Sequence, residues 1–311
     1  MTKQNEKLKY YLFTIIGTLF VGSTTPVLKH LLNSGVDVYL AAFCRIAIPI
    51  FFATGILAAT KQKPDFAAFR RLWKPILLMS FCGQAGLWML TTIALQYAPA
   101  GQSMLIYGIN PVLIIVLAYL ILKEPMGKRR VIGTITAVFG VTLCMIGGSN
   151  FNVGALSISP WDMIFILTAL LWAVYCIIMR IYCVKIQVYQ CFFWLIVCSI
   201  ILFMPFVLPR LYLLKSLNGE QIFWLVYLGV VPGSLGFLSW NIGLNTIGAV
   251  PCGLINSFLP VTAVVISTIW LGESIAGVQA MGAVIVIISV WQGLRCDPSK
   301  NINIVSDNCK K

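Results

Sequence analysis

The chain has 311 residues, 59% of them hydrophobic and only 10% charged, with a formal net charge of +13. Soluble domains carry about 25% charged residues, so this composition cannot supply a water-facing surface for a folded globule. The basic excess does not indicate a nucleic-acid partner either, because it is spread over short segments between apolar runs and not gathered on one patch.

Apolar runs of about twenty residues, each enough to cross ~30 Å of hydrocarbon as a helix, recur from Tyr10 to Leu294. The first is expected over 10–30. Its Lys-bearing start is that of a first helix and not of a secretory signal peptide, since no small-residue cleavage site closes a short apolar core. Spans over 38–59, 75–96, 101–122 and 131–149 follow, with Lys61–Lys74 the longest hydrophilic segment between them. Spans over 161–180, 189–209, 221–241, 248–271 and 276–294 complete ten. Fusing the pair around the Tyr97–Gly101 connection would make one helix of about 48 residues, far too long for a single crossing. The prediction is an all-α membrane protein of ten transmembrane helices.

With the N-terminus inside, 18 of the 22 Lys and Arg residues fall in cytoplasmic segments, leaving Lys29, Arg45, Arg210 and Lys215 elsewhere. That is the positive-inside pattern of an even number of spans, with both termini cytoplasmic. Seven of the ten cysteines lie within apolar spans, no CxxC pair occurs and His30 is the single histidine. Neither a disulfide framework nor a metal site is expected, and no cofactor.

An internal repeat organises the chain. An offset of 149 residues superposes Leu105 on Leu254, Pro111 on Pro260, Glu124 on Glu273 and Gly133 on Gly282, and a looser offset of 151 places Lys29 on Arg180. Prolines and carboxylates are scarce here, so their kept spacings are the informative matches. The chain is therefore divided into a cytoplasmic tail (1–9), a first five-helix repeat (10–149), an external linker (150–160), a second five-helix repeat (161–294) and a cytoplasmic tail (295–311). Five is odd, so the second copy must enter from the opposite side, which makes the halves inverted repeats of the kind that build transporters.

The stretches VGSTTPVLKHLL (21–32), ALQYAPAGQSMLIYGINPVLIIVLAYLILKEPMG (94–127) and GLNTIGAVPCGLINSFLPVTAVVISTIWLGES (243–274), with Arg45 in the second span, resemble the drug/metabolite transporter superfamily and within it the EamA family. The resemblance covers about 10–294. It implies ten helices with cytoplasmic termini, a bacterial inner-membrane location and export or exchange of small metabolites. The chain departs from the family at Val21, where many members carry tryptophan; Trp172 holds the matching place in the second half.

Lys29 and Arg45 are the basic residues inside apolar spans, where a charge costs ~2.5–3.5 kcal/mol at the centre. They are expected either to attract an anionic group of a solute from the external end of a cavity or to meet head groups and helix-end carbonyls. Gln84, Trp88, Tyr107, Asn110, Trp172, Tyr175, Trp240 and Asn256 are the polar and aromatic side chains expected to project toward that cavity, each having interhelical bonding as its alternative use. Pro111 and Pro260, at equivalent places, are expected to kink their helices. No carboxylate falls at a bilayer midplane, so a buried proton relay lacks its usual parts. The expected function is a non-enzymatic secondary transporter of a small-molecule solute, embedded in membrane lipid. A membrane-embedded sensor or other non-catalytic protein is the alternative, and a homodimer stays open.

Overall fold

The computed structural model describes residues 3–97, 108–124, 127–146, 160–271 and 276–294, and among these every regular element is helical. Helices α1 (Lys3–Gly22) and α2 (Thr24–Asn33) make the first crossing, and α3 (Val38–Ala47) and α4 (Pro49–Ala59) the second. The third joins α5 (Phe66–Ser80) to α6 (Gly86–Tyr97) through a widened π-turn at Phe81–Ala85. Then come α7 (Asn110–Leu122) and α8 (Lys128–Ile146). The second half holds α9 (Pro160–Tyr182), α10 (Val188–Val207), α11 (Gly219–Leu228), α12 (Phe237–Thr246), α13 (Ala249–Ile255), α14 (Phe258–Leu271) and α15 (Gly277–Leu294), with a second π-turn at Gly229–Gly236 between α11 and α12. Eight of the described helical stretches are long and apolar enough to cross a membrane, and α7 is a shorter apolar helix. The chain is an integral membrane protein.

Several boundaries differ from the sequence expectation for identifiable reasons. The third span starts at Phe66, not at 75, because Asp65 caps it by accepting from the Ala68 N–H at 2.8 Å. Much of the supposed hydrophilic loop is thus helix. It bends at Leu72, three residues before Pro75, where the backbone is non-helical. Nor are Pro111 and Pro260 mid-helix kinks. Each stands in the first turn of a helix, α7 or α14, directly after a turn at Gly108–Ile109 or Asn256–Ser257. A missing N–H costs nothing in a first turn, so the prolines end up where they cost least. The two turns fall within one residue of equivalence under the 149-residue offset, and the two π-turns overlap under it.

Packing respects the repeat. Helix α1 packs on α12 and α14, while its counterpart α9 packs on α6 and α7; α3 packs on α11, while α10 packs on α5. The counterparts α3 and α10 meet each other, as do α8 and α15. Helices α8 and α15 run antiparallel: a Cβ at Gly133 would meet Ser289 and Gly293, whereas one at Gly140 would meet Gly282, Ile285 and Val286. Small residues let these backbones approach closely, as in membrane bundles generally. The eight described free cysteines sit inside the bundle, seven of them buried, as small apolar residues.

Polar contacts mark the two ends. At one, His30 meets Glu220 at 3.1 Å, Gln221 donates to the Ser34 carbonyl at 2.9 Å, Arg210 lies 3.6 Å from Asp37, and Tyr97 stacks on Trp161 at 4.2 Å. At the other, Gln190 bridges the Lys63 carbonyl (2.9 Å) and the Asp65 N–H (3.0 Å), and Glu124 meets Arg180.

Candidate functional site

A cavity lies between the halves. Its walls come from the α1–α2 junction (Val21, Thr24, Leu28), α3 (Arg45), α6 (Trp88, Leu95), α9 (Phe165, Trp172) and the residues at and just before the starts of α7 and α14 (Gly108, Pro111, Asn256, Ser257, Pro260). On α6 and α9 the lining runs from Trp88 and Trp172 toward the Tyr97–Trp161 end, to Leu95 and Phe165.

Arg45 is 6% exposed, and its guanidinium carbon stands 3.8 Å from the centroid of the Trp88 ring. A desolvated cation over an indole face gains about 2 kcal/mol, which offsets part of the cost of keeping this charge in the apolar region. Trp88 in turn meets Phe237 edge-on at 5.6 Å, and Phe237 contacts Trp172 at 6.1 Å. Val21 and Trp172, equivalent under the repeat, both line the space, so the indole that the first half lacks is supplied by the second.

Beneath the cavity the seam is closed. Trp172 stacks on Tyr175 at 5.2 Å and lies 5.6 Å from Trp240; the Tyr175 hydroxyl donates to Asn241 Oδ1. Gln84 Oε1 accepts from Ser199 at 2.9 Å. Further along, the Glu124 carboxylate at the end of α7 accepts from the Ala249 and Val250 N–H groups at 3.1 and 3.0 Å and from Arg180 Nε at 3.4 Å, while Arg180 also donates to the Asn245 carbonyl. One carboxylate therefore ties the first half to the start of α13 and the end of α9. Gly248 makes this approach possible: its φ is +100°, and a Cβ there would lie 3.1 Å from Glu124 Oε1.

The expected site residues divide accordingly. Arg45, Trp88, Trp172, Asn256, Pro111 and Pro260 come together on the cavity wall. Gln84, Tyr175 and Trp240 belong to the packed layer below and do not line it. Asn110 is fully buried at the start of α7, with neither amide atom bonded. Tyr107 lies outside the described residues. Lys29 is corrected: it is absent from the lining, and its Nζ donates to the Leu95 carbonyl at 2.9 Å near the end of α6, an acceptor that the last turn of a helix leaves open. Lys29→Met is therefore expected to lower stability by about 1 kcal/mol, read as a modest drop in melting temperature, with solute transport unchanged.

Sequence reasoning missed three things. Glu124 was noted only as a repeat marker, although its match to Glu273 and that of Lys29 to Arg180 signalled a structural use. Thr24 and Ser257 looked like ordinary hydroxyls until the structure placed them on the cavity. The π-turns carry no sequence signature beyond Pro232 and the glycines around it.

A helical membrane bundle with a cavity lined from both halves fits the architecture of a membrane transporter. The EamA-like transporter family model matches the chain twice, over residues 8–146 and 159–292, and the chain belongs to that family. It is 26% identical to the uncharacterized transporter YyaM of Bacillus subtilis (strain 168), over 92% of this chain and 93% of that one. It is also 27% identical to the uncharacterized inner membrane transporter YhbE of Escherichia coli (strain K12), over 56% and 54% of the two chains. A probable terminal-alkyne amino-acid exporter of Streptantibioticus cattleyicolor is 21% identical over 63% and 65%. A solved crystal structure superposes with a TM-score of 0.75 over 91% of this chain and 96% of its own at 17% identity, a likeness of fold alone.

Proposed function

We propose that this protein is a secondary transporter that moves a small metabolite across a bacterial cytoplasmic membrane by alternating access. In this reading ten helices form two inverted five-helix repeats, both termini are cytoplasmic, and the cavity between the repeats is the solute site. The observation that carries the proposal is the cavity wall itself, where Pro111 and Pro260, equivalent under the repeat and each in the first turn of a helix, border one space from the two halves. Broken helices at a repeat interface are where secondary transporters bind their cargo. The antiparallel run of the counterparts α8 and α15 supports inversion, since repeats related by an axis along the membrane normal would place counterparts parallel.

A solute screen in proteoliposomes tests the transport reading. Trp172→Ala is expected to reduce flux about tenfold or more, the scale of a truncated aromatic anchor, and Asn256→Ala several-fold; unchanged flux in both would remove the cavity as the solute path. Topology is tested separately with an impermeant maleimide on intact cells. Asn33→Cys and Ser216→Cys should label from outside, and Thr60→Cys only after permeabilisation; labelling Asn33→Cys and Ser216→Cys from opposite faces contradicts the inverted arrangement.

A further inference from the structure

Neutral polar groups without a partner gather on the cavity wall. Trp172 Nε1, Thr24 Oγ1 and Ser257 Oγ are buried and bonded to nothing among the described residues, and all three residues line the space. Beside Ser257, the Asn256 side chain is 3% exposed and makes no hydrogen bond among the described residues. The indole can only donate, each hydroxyl donates or accepts, and the amide does both through two separate atoms. Gly22 abuts the Leu259 carbonyl, so the α1–α2 junction that carries Thr24 lies against the start of α14, where Asn256 and Ser257 stand. Arg45 is already engaged over the Trp88 ring, which leaves recognition to the neutral groups. The remaining wall is largely apolar, with Leu28, Leu87, Leu95, Phe165 and Phe237.

Building on the transporter reading, we propose that the solute is an uncharged carboxamide on an apolar body, and that the site prefers it to the carboxylic acid and to the amine of the same skeleton. An amide offers both kinds of group at once. Its carbonyl oxygen accepts from Trp172 Nε1 and from a hydroxyl, and its N–H donates to Asn256 Oδ1. A carboxylate only accepts, so it leaves Asn256 Oδ1 without a donor. An ammonium only donates, so it leaves the indole N–H unanswered, and none of the described lining residues is a carboxylate that could balance its charge. Taking either ion out of water also costs more than taking out a neutral amide. The apolar wall receives the body by burial, as ligand sites commonly do.

The test is isothermal titration of the full chain, purified in detergent, with two matched sets of probes. One is 3-phenylpropanamide, 3-phenylpropanoate and 3-phenylpropylammonium; the other is 4-methylpentanamide, 4-methylpentanoate and 4-methylpentylammonium. In at least one set the amide should bind about tenfold or more tightly than the acid and the amine, the scale of one buried polar group left unmatched. Asn256→Leu should remove that preference, and Asn256→Asp should shift it toward the ammonium. Trp172→Phe, which keeps an aromatic ring and removes the N–H, should weaken amide binding several-fold without lowering the melting temperature, so loss of folding is not mistaken for loss of recognition. Equal or tighter binding of the acid or the amine, no binding of any probe, or an undiminished amide preference in Asn256→Leu overturns the inference. Flux in proteoliposomes is read apart from binding. An amide that binds and is not carried counts against transport and leaves the ligand class standing, whereas flux of an acid or amine without amide binding keeps the transporter and removes the ligand class.

Discussion

Glu124→Ala is expected to destabilise the protein by about 3 kcal/mol and to make reconstituted vesicles leak solute. The carboxylate is 13% exposed and its partner Arg180 is 17% exposed, so solvent screens the pair only in part. Removing one member of such a pair leaves the other charge poorly compensated, which costs ~3–5 kcal/mol for full burial. It also strips the Ala249 and Val250 N–H groups, at the buried start of α13, of their acceptor. Glu124→Gln retains an oxygen for one of those donors and should cost about half as much. The measurement is thermal unfolding in detergent, with solute efflux from preloaded proteoliposomes beside it. An alanine variant with wild-type melting would show that the contact is incidental, and one that melts early without leaking would confine its role to stability.

Gly282→Val should be more damaging still, above about 3 kcal/mol, because overpacking here has no flexible neighbour to displace. A Cβ at residue 282 would fall 2.6 Å from both the Cys144 N and the Gly140 O, each a backbone atom of α8. The α8–α15 pair would have to separate along its length, giving up the close contact on which helix association in lipid depends. Gly55→Val is the control: nothing lies within 4 Å of the added carbon on that face of α4. Size-exclusion chromatography of solubilised protein should show loss or polydispersity for the first variant and a wild-type profile for the second. Equal behaviour of the two would mean that the α8–α15 contact is not tight in the membrane.

The candidate site was legible in the sequence to different depths. Arg45 could be singled out because a guanidinium in an apolar run is costly and rare, and the structure puts it on the cavity wall. Lys29 met the same criterion and turned out to cap α6, since a long ammonium-bearing stem near a span end finds helix-terminal carbonyls within reach. Composition treats the two alike. The amides and aromatics divided in the same way: Trp88, Trp172 and Asn256 line the cavity, while Gln84 spends its carbonyl on Ser199 and Tyr175 spends its hydroxyl on Asn241. A polar side chain on a membrane helix needs a partner, and sequence cannot say which partner is nearest.

What the amino-acid sequence determined by itself was the solvent and the plan: apolar runs of spanning length, basic loops, and a kept spacing of proline, glutamate and glycine that reveals a doubled unit. These are one-dimensional properties, set by how many residues cross a hydrocarbon layer and by which residue types a duplication keeps. Tertiary structure alone decided where the helices break, which end of the seam is shut, and that Glu124 holds the start of α13. Those outcomes depend on contacts between residues from 56 to 126 positions apart. They arise only when backbones come close enough for one half to satisfy the open hydrogen bonds of the other.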